Sequence, residues 1–275
     1  MDAMKQPGFR ATRIAEGLFR IWEGDAVSMF LVTGQEKALL VDSGYGVGDL
    51  PAFLTTLTDR PIILANTHGH IDHTGGNHAF GEAYMHPADF ALANRHASPD
   101  ERERAAAYLG IPGAGYREKG LSRLVPLEPG HRFDLGGRSV EAVACAGHTT
   151  GSLAFFDHAT GSMLVGDAVS RHVWLFDDDS STLPAYSASL QALQGYPIRS
   201  LYCSHAPECF GPGFIDELIG FTARVCVEKS RVFPVPLANT NALIYHEGGE
   251  LFASPDFFSL VFREEKLGLS VRISR

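Results

Sequence analysis

The run Thr67-His68-Gly69-His70-Ile71-Asp72-His73 constrains this chain more than any other feature, because it places four potential metal ligands within six positions. It follows Pro61 to Ala65, a continuous apolar stretch of the kind found in strands buried on both faces, which ends abruptly at Asn66. Residues two apart at an extended strand end can point the same way, so His68 and His70 can chelate one ion. Asp72 and His73, one turn later, can face a second. Gly69 is expected to keep the loop free of a side chain that would crowd the metal. Of 12 histidines, six (His68, His70, His73, His78, His86 and His96) fall between positions 68 and 96. A solvated loop accounts for one histidine; it does not account for three with an aspartate.

Two ions need ligands from elsewhere, and three candidates stand at the ends of predicted strands. His148 follows Val143-Ala144-Cys145, Asp167 follows Met163-Leu164-Val165-Gly166, and His205 follows Leu201-Tyr202-Cys203. Ligands drawn from successive strand ends predict one shared rim. Nitrogen and oxygen donors without thiolate suit zinc and admit manganese or iron. Cys145, Cys203, Cys209 and Cys226 form no CxxC pair and are read as core thiols or buried small residues.

The remainder of the 275-residue chain reads as one domain, residues 1–275, with residues 86–125 as a helical insert or lid. Phe19–Trp22, Ser28–Thr33 and Ala38–Asp42 are predicted as an antiparallel meander, and Asp49–Thr58 as a helix. Strands are expected at 139–145, 152–156, 162–165 and 200–203, helices at 183–193 and 213–227, and closing strands over 241–273. The net charge of −9 repels nucleic acid and anionic lipid, so the expected partner is a small-molecule substrate, with neither nucleic acid nor membrane and with a homodimer left open. Apolar runs fall short of the roughly 20 residues of a membrane span, and no secretory signal is visible, so the expected location is cytoplasmic.

On its motif series the sequence resembles the metallo-β-lactamase superfamily: HxHxDH at 68–73, then His148, Asp167 and His205, separated by 75, 19 and 38 residues. Leu40-Val41-Asp42-Ser43-Gly44 resembles the aspartate strand that buttresses the metal site, and Gly147-His148-Thr149-Thr150-Gly151-Ser152 resembles the GHTPGS segment. The resemblance spans roughly residues 19–220. It implies an α/β (α+β) fold: a four-layer αββα sandwich of two mixed sheets with outer helices and ligands on loops at one edge. It assigns His68, His70 and His148 to one divalent ion, Asp72, His73 and His205 to the other, and Asp167 as the bridge. Asp42 would hydrogen-bond a ligand histidine.

Two such ions sit about 3.5–4 Å apart and can lower the pKa of water from about 15.7 to about 7. The reaction implied is hydrolysis of a small carboxylic ester, thioester or lactone by a hydroxide bridging two ions, with Asp72 and Asp167 in the catalytic constellation. Alternatives are a phosphodiesterase, a β-lactamase, or a non-catalytic metal-binding member of the fold.

Several details narrow this. The best-known β-lactamases have cysteine where Asp167 stands, which argues against β-lactams. His70, where flavodiiron relatives have glutamate, favours hydrolysis. Ser170 stands where lactonases tend to have tyrosine, and the strand-like C-terminal region is unlike glyoxalase II. Gly44-Tyr45-Gly46-Val47-Gly48 fails the GxGxxG spacing at Asp49 and is read as a tight turn. Trp174, Leu175 and Phe176 are candidates for either core or pocket. Arg95, His96, Arg102 and Arg104 are expected on a solvated helix face.

Overall fold

Alternating apolar side chains on adjacent strands supply the two faces of the central layer in the computed structural model, which describes residues 8–113, 115–235 and 240–268. Strands β2 (Leu18–Glu23), β3 (Val27–Thr33) and β4 (Ala38–Val41) form the expected antiparallel meander, and β1 (Phe9–Ala15), which was not expected, pairs with β2 as an edge strand. Then β5 (Ile62–Ala65), β6 (Glu82–Met85) and β7 (Arg123–Pro126) add in parallel, giving a seven-stranded mixed sheet in order β1 to β7. A second, five-stranded sheet runs β13-β11-β10-β9-β8, from β8 (Arg132–Asp134), β9 (Ser139–Ala144), β10 (Leu153–Asp157), β11 (Ser162–Gly166) and β13 (Ser200–Cys203).

The inner faces of these sheets meet in one core: Phe30, Val32, Leu39 and Val41 pack against Phe133, Ala142, Phe155 and Leu164. The outer face of the first sheet carries Met29, Leu31 and Leu40 against Leu50 and Leu54 of α1 (Leu50–Leu54). The second sheet turns Phe156, Met163 and Leu201 towards α5 (Leu183–Leu193) and α6 (Gly213–Thr222). Helix, sheet, sheet and helix stack as the αββα order requires. Apolar residues on both faces explain why β3 and β4 read as near-continuous hydrophobic runs.

A third sheet, absent from the sequence reading, joins β12 (His172–Leu175) to the end of the chain in the order β12-β16-β15-β14. Its other strands are β14 (Arg231–Val235), which was not expected, and β15 (Thr240–Glu247) and β16 (Phe258–Phe262), which match the expected closing strands; residues 269–273 of that expectation lie outside the described residues. The expected helix over 49–58 is shorter, ending at Leu54, and the helix expected to reach Val227 ends at Thr222.

Between β6 and β7, the helices α3 (Phe90–His96) and α4 (Pro99–Leu109) are separate because Ser98 caps α4, its side chain accepting from Glu101 N with Pro99 at the first turn. Residues 123–125, expected in the insert, lie in β7 of the first sheet. Arg102 does not lie on a solvated face. It is fully buried, donating to the carbonyls of Gly75 and Gly120 at 3.1 and 3.2 Å, with its guanidinium over Tyr116. Cys209 is likewise exposed rather than a core thiol, whereas Cys145 and Cys203 are buried. Among the described residues no helix is long and apolar enough to cross a membrane.

Candidate metal centre

All seven side chains singled out in the sequence come together at one edge of the sandwich. His68 and His70 leave the end of β5, Asp72 and His73 occupy the single-turn helix α2 (Ile71–Thr74), and His148 stands in the β9–β10 turn. Asp167 and His205 emerge from β11 and β13, which pair in parallel with Gly166 opposite Cys203, so the two side chains are neighbours by register. Two groups result: His68, His70 and His148, and Asp72, His73, Asp167 and His205, each with its donor atoms within 4.8 Å of one another.

Hydrogen bonds fix which ring nitrogen four of the five imidazoles present. His148 Nδ1 lies 3.0 Å from the Trp174 carbonyl and His205 Nδ1 2.8 Å from the Ala26 carbonyl, so both Nδ1 atoms donate outward and both Nε2 atoms face the cluster. Asp42 Oδ2 accepts from His73 Nδ1 at 2.8 Å and from Thr67 Oγ1 at 2.8 Å, while Asp42 Oδ1 accepts from Thr67 N at 2.7 Å. Because the Thr67 hydroxyl proton is committed to Asp42, its oxygen accepts from His68 Nδ1 at 3.0 Å, and His68 also presents Nε2. The expected bond from Asp42 to a motif histidine is therefore present, with Asp42 in the left-handed region at φ 66°.

These atoms converge. His70 Nδ1 lies 3.0 Å from His68 Nε2 and 2.9 Å from His148 Nε2, so three ring nitrogens gather about one point. In the second group, His205 Nε2 stands 3.1 Å from Asp72 Oδ2 and 3.2 Å from Asp167 Oδ2. His73 Nε2 is 3.4 Å from Asp167 Oδ1, and both atoms are buried without a hydrogen-bond partner. Asp167 also faces the first group, its Oδ2 lying 3.7 Å from His148 Nε2. Orphaned buried donors and acceptors are costly, and a cation at each point would satisfy them.

The electrostatics agree. Burial, together with neighbouring imidazoles, holds His68 and His70 well below the usual histidine range, so both are neutral and able to coordinate. Burial opposes ionisation of Asp72 and Asp167 as well, but His73 and His205 outweigh it and hold both carboxylates well below their usual range. The same attraction raises His73 and His205 against burial. The centre is closed on the His73 side and opens at His205, whose side chain is 40% exposed.

Several supporting residues carry no signal in the sequence. Asn66 Nδ2 donates to the His73 carbonyl at 2.8 Å, and Asn77 Nδ2 to Asn66 Oδ1 at 2.8 Å, tying α2 to the end of β5. His96, expected on a solvated face, accepts from Ile71 N at 3.1 Å and stacks on His70. A Cβ at Gly69 would meet Asp89 O at 2.9 Å and Ala93 N at 3.0 Å, so the α3 backbone demands this glycine rather than room for a metal. The Gly44 to Gly48 turn wraps the buried Glu23 carboxylate, which accepts from Tyr45 N at 2.6 Å and Val47 N at 2.7 Å. Those amides are unavailable to a phosphate.

The model of the metallo-beta-lactamase superfamily matches residues 22–205. The chain belongs to that superfamily. An acyl-coenzyme A thioesterase, MBLAC2, of Gallus gallus is 28% identical over 218 residues, covering 68% of this chain and 76% of that protein. The corresponding bovine and human proteins are covered over 64% of their length. Among solved structures, a metallo-beta-lactamase from Pontibacter korlensis superposes with a TM-score of 0.56 at 18% identity, covering 79% of this chain and all (100%) of that one. TTHA1623, solved in a di-iron-bound form, gives a TM-score of 0.52 at 26% identity, covering 70% of this chain and 93% of that one. These likenesses place the αββα core in the superfamily's fold and its residues in a hydrolase family.

Proposed function

We propose that this protein is a metal-dependent thioester hydrolase with a two-ion centre. One observation carries the reading: two groups of converging ligand atoms, one of three imidazoles and one of two imidazoles and two carboxylates, face each other across Asp167. His68, His70 and His148 would hold one ion, Asp72, His73 and His205 the other, and Asp167 would serve both. Zinc suits the nitrogen-rich first group; the carboxylates of the second also accept iron or manganese. When bound, such a pair would supply Lewis acidity, lowering the pKa of water towards neutrality and polarising a carbonyl.

The chain's own residues do the rest. Asp42, Thr67 and the Trp174 and Ala26 carbonyls hold four imidazoles in one tautomer, so none must reorganise during the reaction. The buried walls around His68 and His73 keep water from the inner side, and the substrate enters where His205 is exposed. The name of the avian relative supports the thioester class, and the aspartate rather than cysteine at 167 disfavours β-lactams.

Elemental analysis of the purified protein, paired with a substrate panel, tests this. An acyl-CoA, p-nitrophenyl acetate, a lactone, a β-lactam and bis-p-nitrophenyl phosphate would be compared before and after chelation. About two divalent ions per chain and chelator-sensitive cleavage of the thioester are expected. Cleavage of the phosphodiester with the thioester untouched would overturn the reading, as would thioester cleavage that survives complete metal removal.

A further inference from the structure

Asp89 stands between β6 and α3, twenty or more residues from any of the seven motif positions except those of the HxHxDH run, and no motif marks it. It is 1% exposed, yet its carboxylate touches both loops of the first imidazole group. Oδ2 accepts from Gly69 N at 2.9 Å, the amide between His68 and His70, and from Thr149 Oγ1 at 2.7 Å, the residue after His148. Oδ1 accepts from Gly151 N at 2.9 Å. A Cβ at Gly151 would come within 2.4 Å of that oxygen, so the chain keeps glycine where the carboxylate docks.

Three donors meet this one carboxyl group in a site screened from water, where hydrogen bonds are electrostatically stronger than in solvent. The bonds run to two segments that are 78 residues apart at His70 and His148, whose ring nitrogens must nonetheless come to one point at 2.9 Å. We propose that Asp89 is a positioning residue for the metal centre: its carboxylate sets the separation of the His68/His70 loop from the His148 loop, and so the affinity of the first ion site alone. This inference rests on the reading that the cluster holds two ions. The second group has its own supports, Asp42 to His73 and Ala26 to His205, and Asp89 accepts from neither of them.

Asp89→Asn keeps the shape but replaces one acceptor oxygen with a donor. Whichever way the amide turns, one backbone N–H faces another donor. The test isolates each site by zinc titration against a competing chelator. With the second group disabled by the pair Asp72→Ala and His205→Ala, adding Asp89→Asn should weaken the remaining site 10- to 100-fold, the usual cost of removing an outer support. With the first group disabled by His70→Ala, adding Asp89→Asn should leave the remaining affinity within about two-fold. Thr149→Val, which removes one of the three bonds, should weaken the first site by a smaller factor and keeps the test available if the asparagine variant fails to fold. Equal weakening of both sites, or of neither, overturns the inference. A wild-type protein that takes up no zinc would instead sink the two-ion reading itself.

Discussion

Asp42 shows how much one residue can organise. A non-glycine residue at φ 66° is strained, by roughly 1 kcal/mol, and the strain is offset by three hydrogen bonds that its two oxygens accept from Thr67 and His73. Asp42→Asn sets an amide N–H against either the Thr67 backbone N–H or the His73 Nδ1 proton and the Thr67 hydroxyl, depending on which way the amide turns. Metal affinity should fall about 10- to 100-fold, read by competitive chelation, with the far-ultraviolet circular dichroism unchanged. Asp167→Ala removes the carboxylate that lies between both groups, and should reduce the metal content from two ions to one and abolish hydrolysis. Full activity with a single ion would refute its assignment. The seven motif positions were legible in the sequence because four of them crowd into six residues after an apolar strand and the other three follow predicted strands. Asp89 and Asn66 were not, because one acid before a helix or one amide after a strand is commonplace, and only the approach of distant backbone amides gives it meaning.

At the scale of elements, the Arg138 and Asp157 pair joins β10 to the β8–β9 turn and to the first sheet. Arg138 Nη2 lies 2.6 Å from Asp157 Oδ2, the side chains are 8% and 0% exposed, and Arg138 Nη1 reaches the Glu16 and Thr33 carbonyls. Asp157→Ala would strand a buried guanidinium and should cost about 3–5 kcal/mol in urea unfolding. Burial alone would raise the Asp157 carboxyl, but Arg138 and Thr160 outweigh it and lower it. A carboxylate lowered in the fold stabilises fully above its unfolded pKa of about 3.9, and that stability is lost as pH falls through the folded value. Acid unfolding below about pH 4 should therefore be shallower in Asp157→Asn than in the parent. Helix α5 was legible to the residue, since Thr182 caps it by accepting from Ala185 N and its apolar positions repeat on one face. Strand β1 was not: its sequence, FRATRIA, alternates weakly because one face lies at an exposed sheet edge. The break between α3 and α4 depends on Ser98 and Pro99, which local composition did not separate from the charged run that follows.

Across the whole molecule, the third sheet connects the last described strand to the centre. β16 pairs in parallel with β12, and the Trp174 carbonyl of β12 accepts from His148. Phe262, fully buried beside Leu175 in the second outer layer, anchors that pairing. Phe262→Ala should cost about 3–5 kcal/mol, and should also lower metal affinity through His148, which calorimetric metal titration of the folded variant would detect. Ions that bind only the native state should add about 2.7 kcal/mol at a free concentration 100 times their dissociation constant, so chelation should lower the thermal midpoint of the wild type. The order of strands and helices, and the residue types able to coordinate a cation, were set by the sequence itself, because apolar periodicity and strand-end polarity are local properties. Which imidazole nitrogen faces inward, which buried acid spans two loops, and how the C-terminal strands reach His148 were decided only by tertiary structure, because each depends on partners tens of residues away whose approach no local pattern encodes.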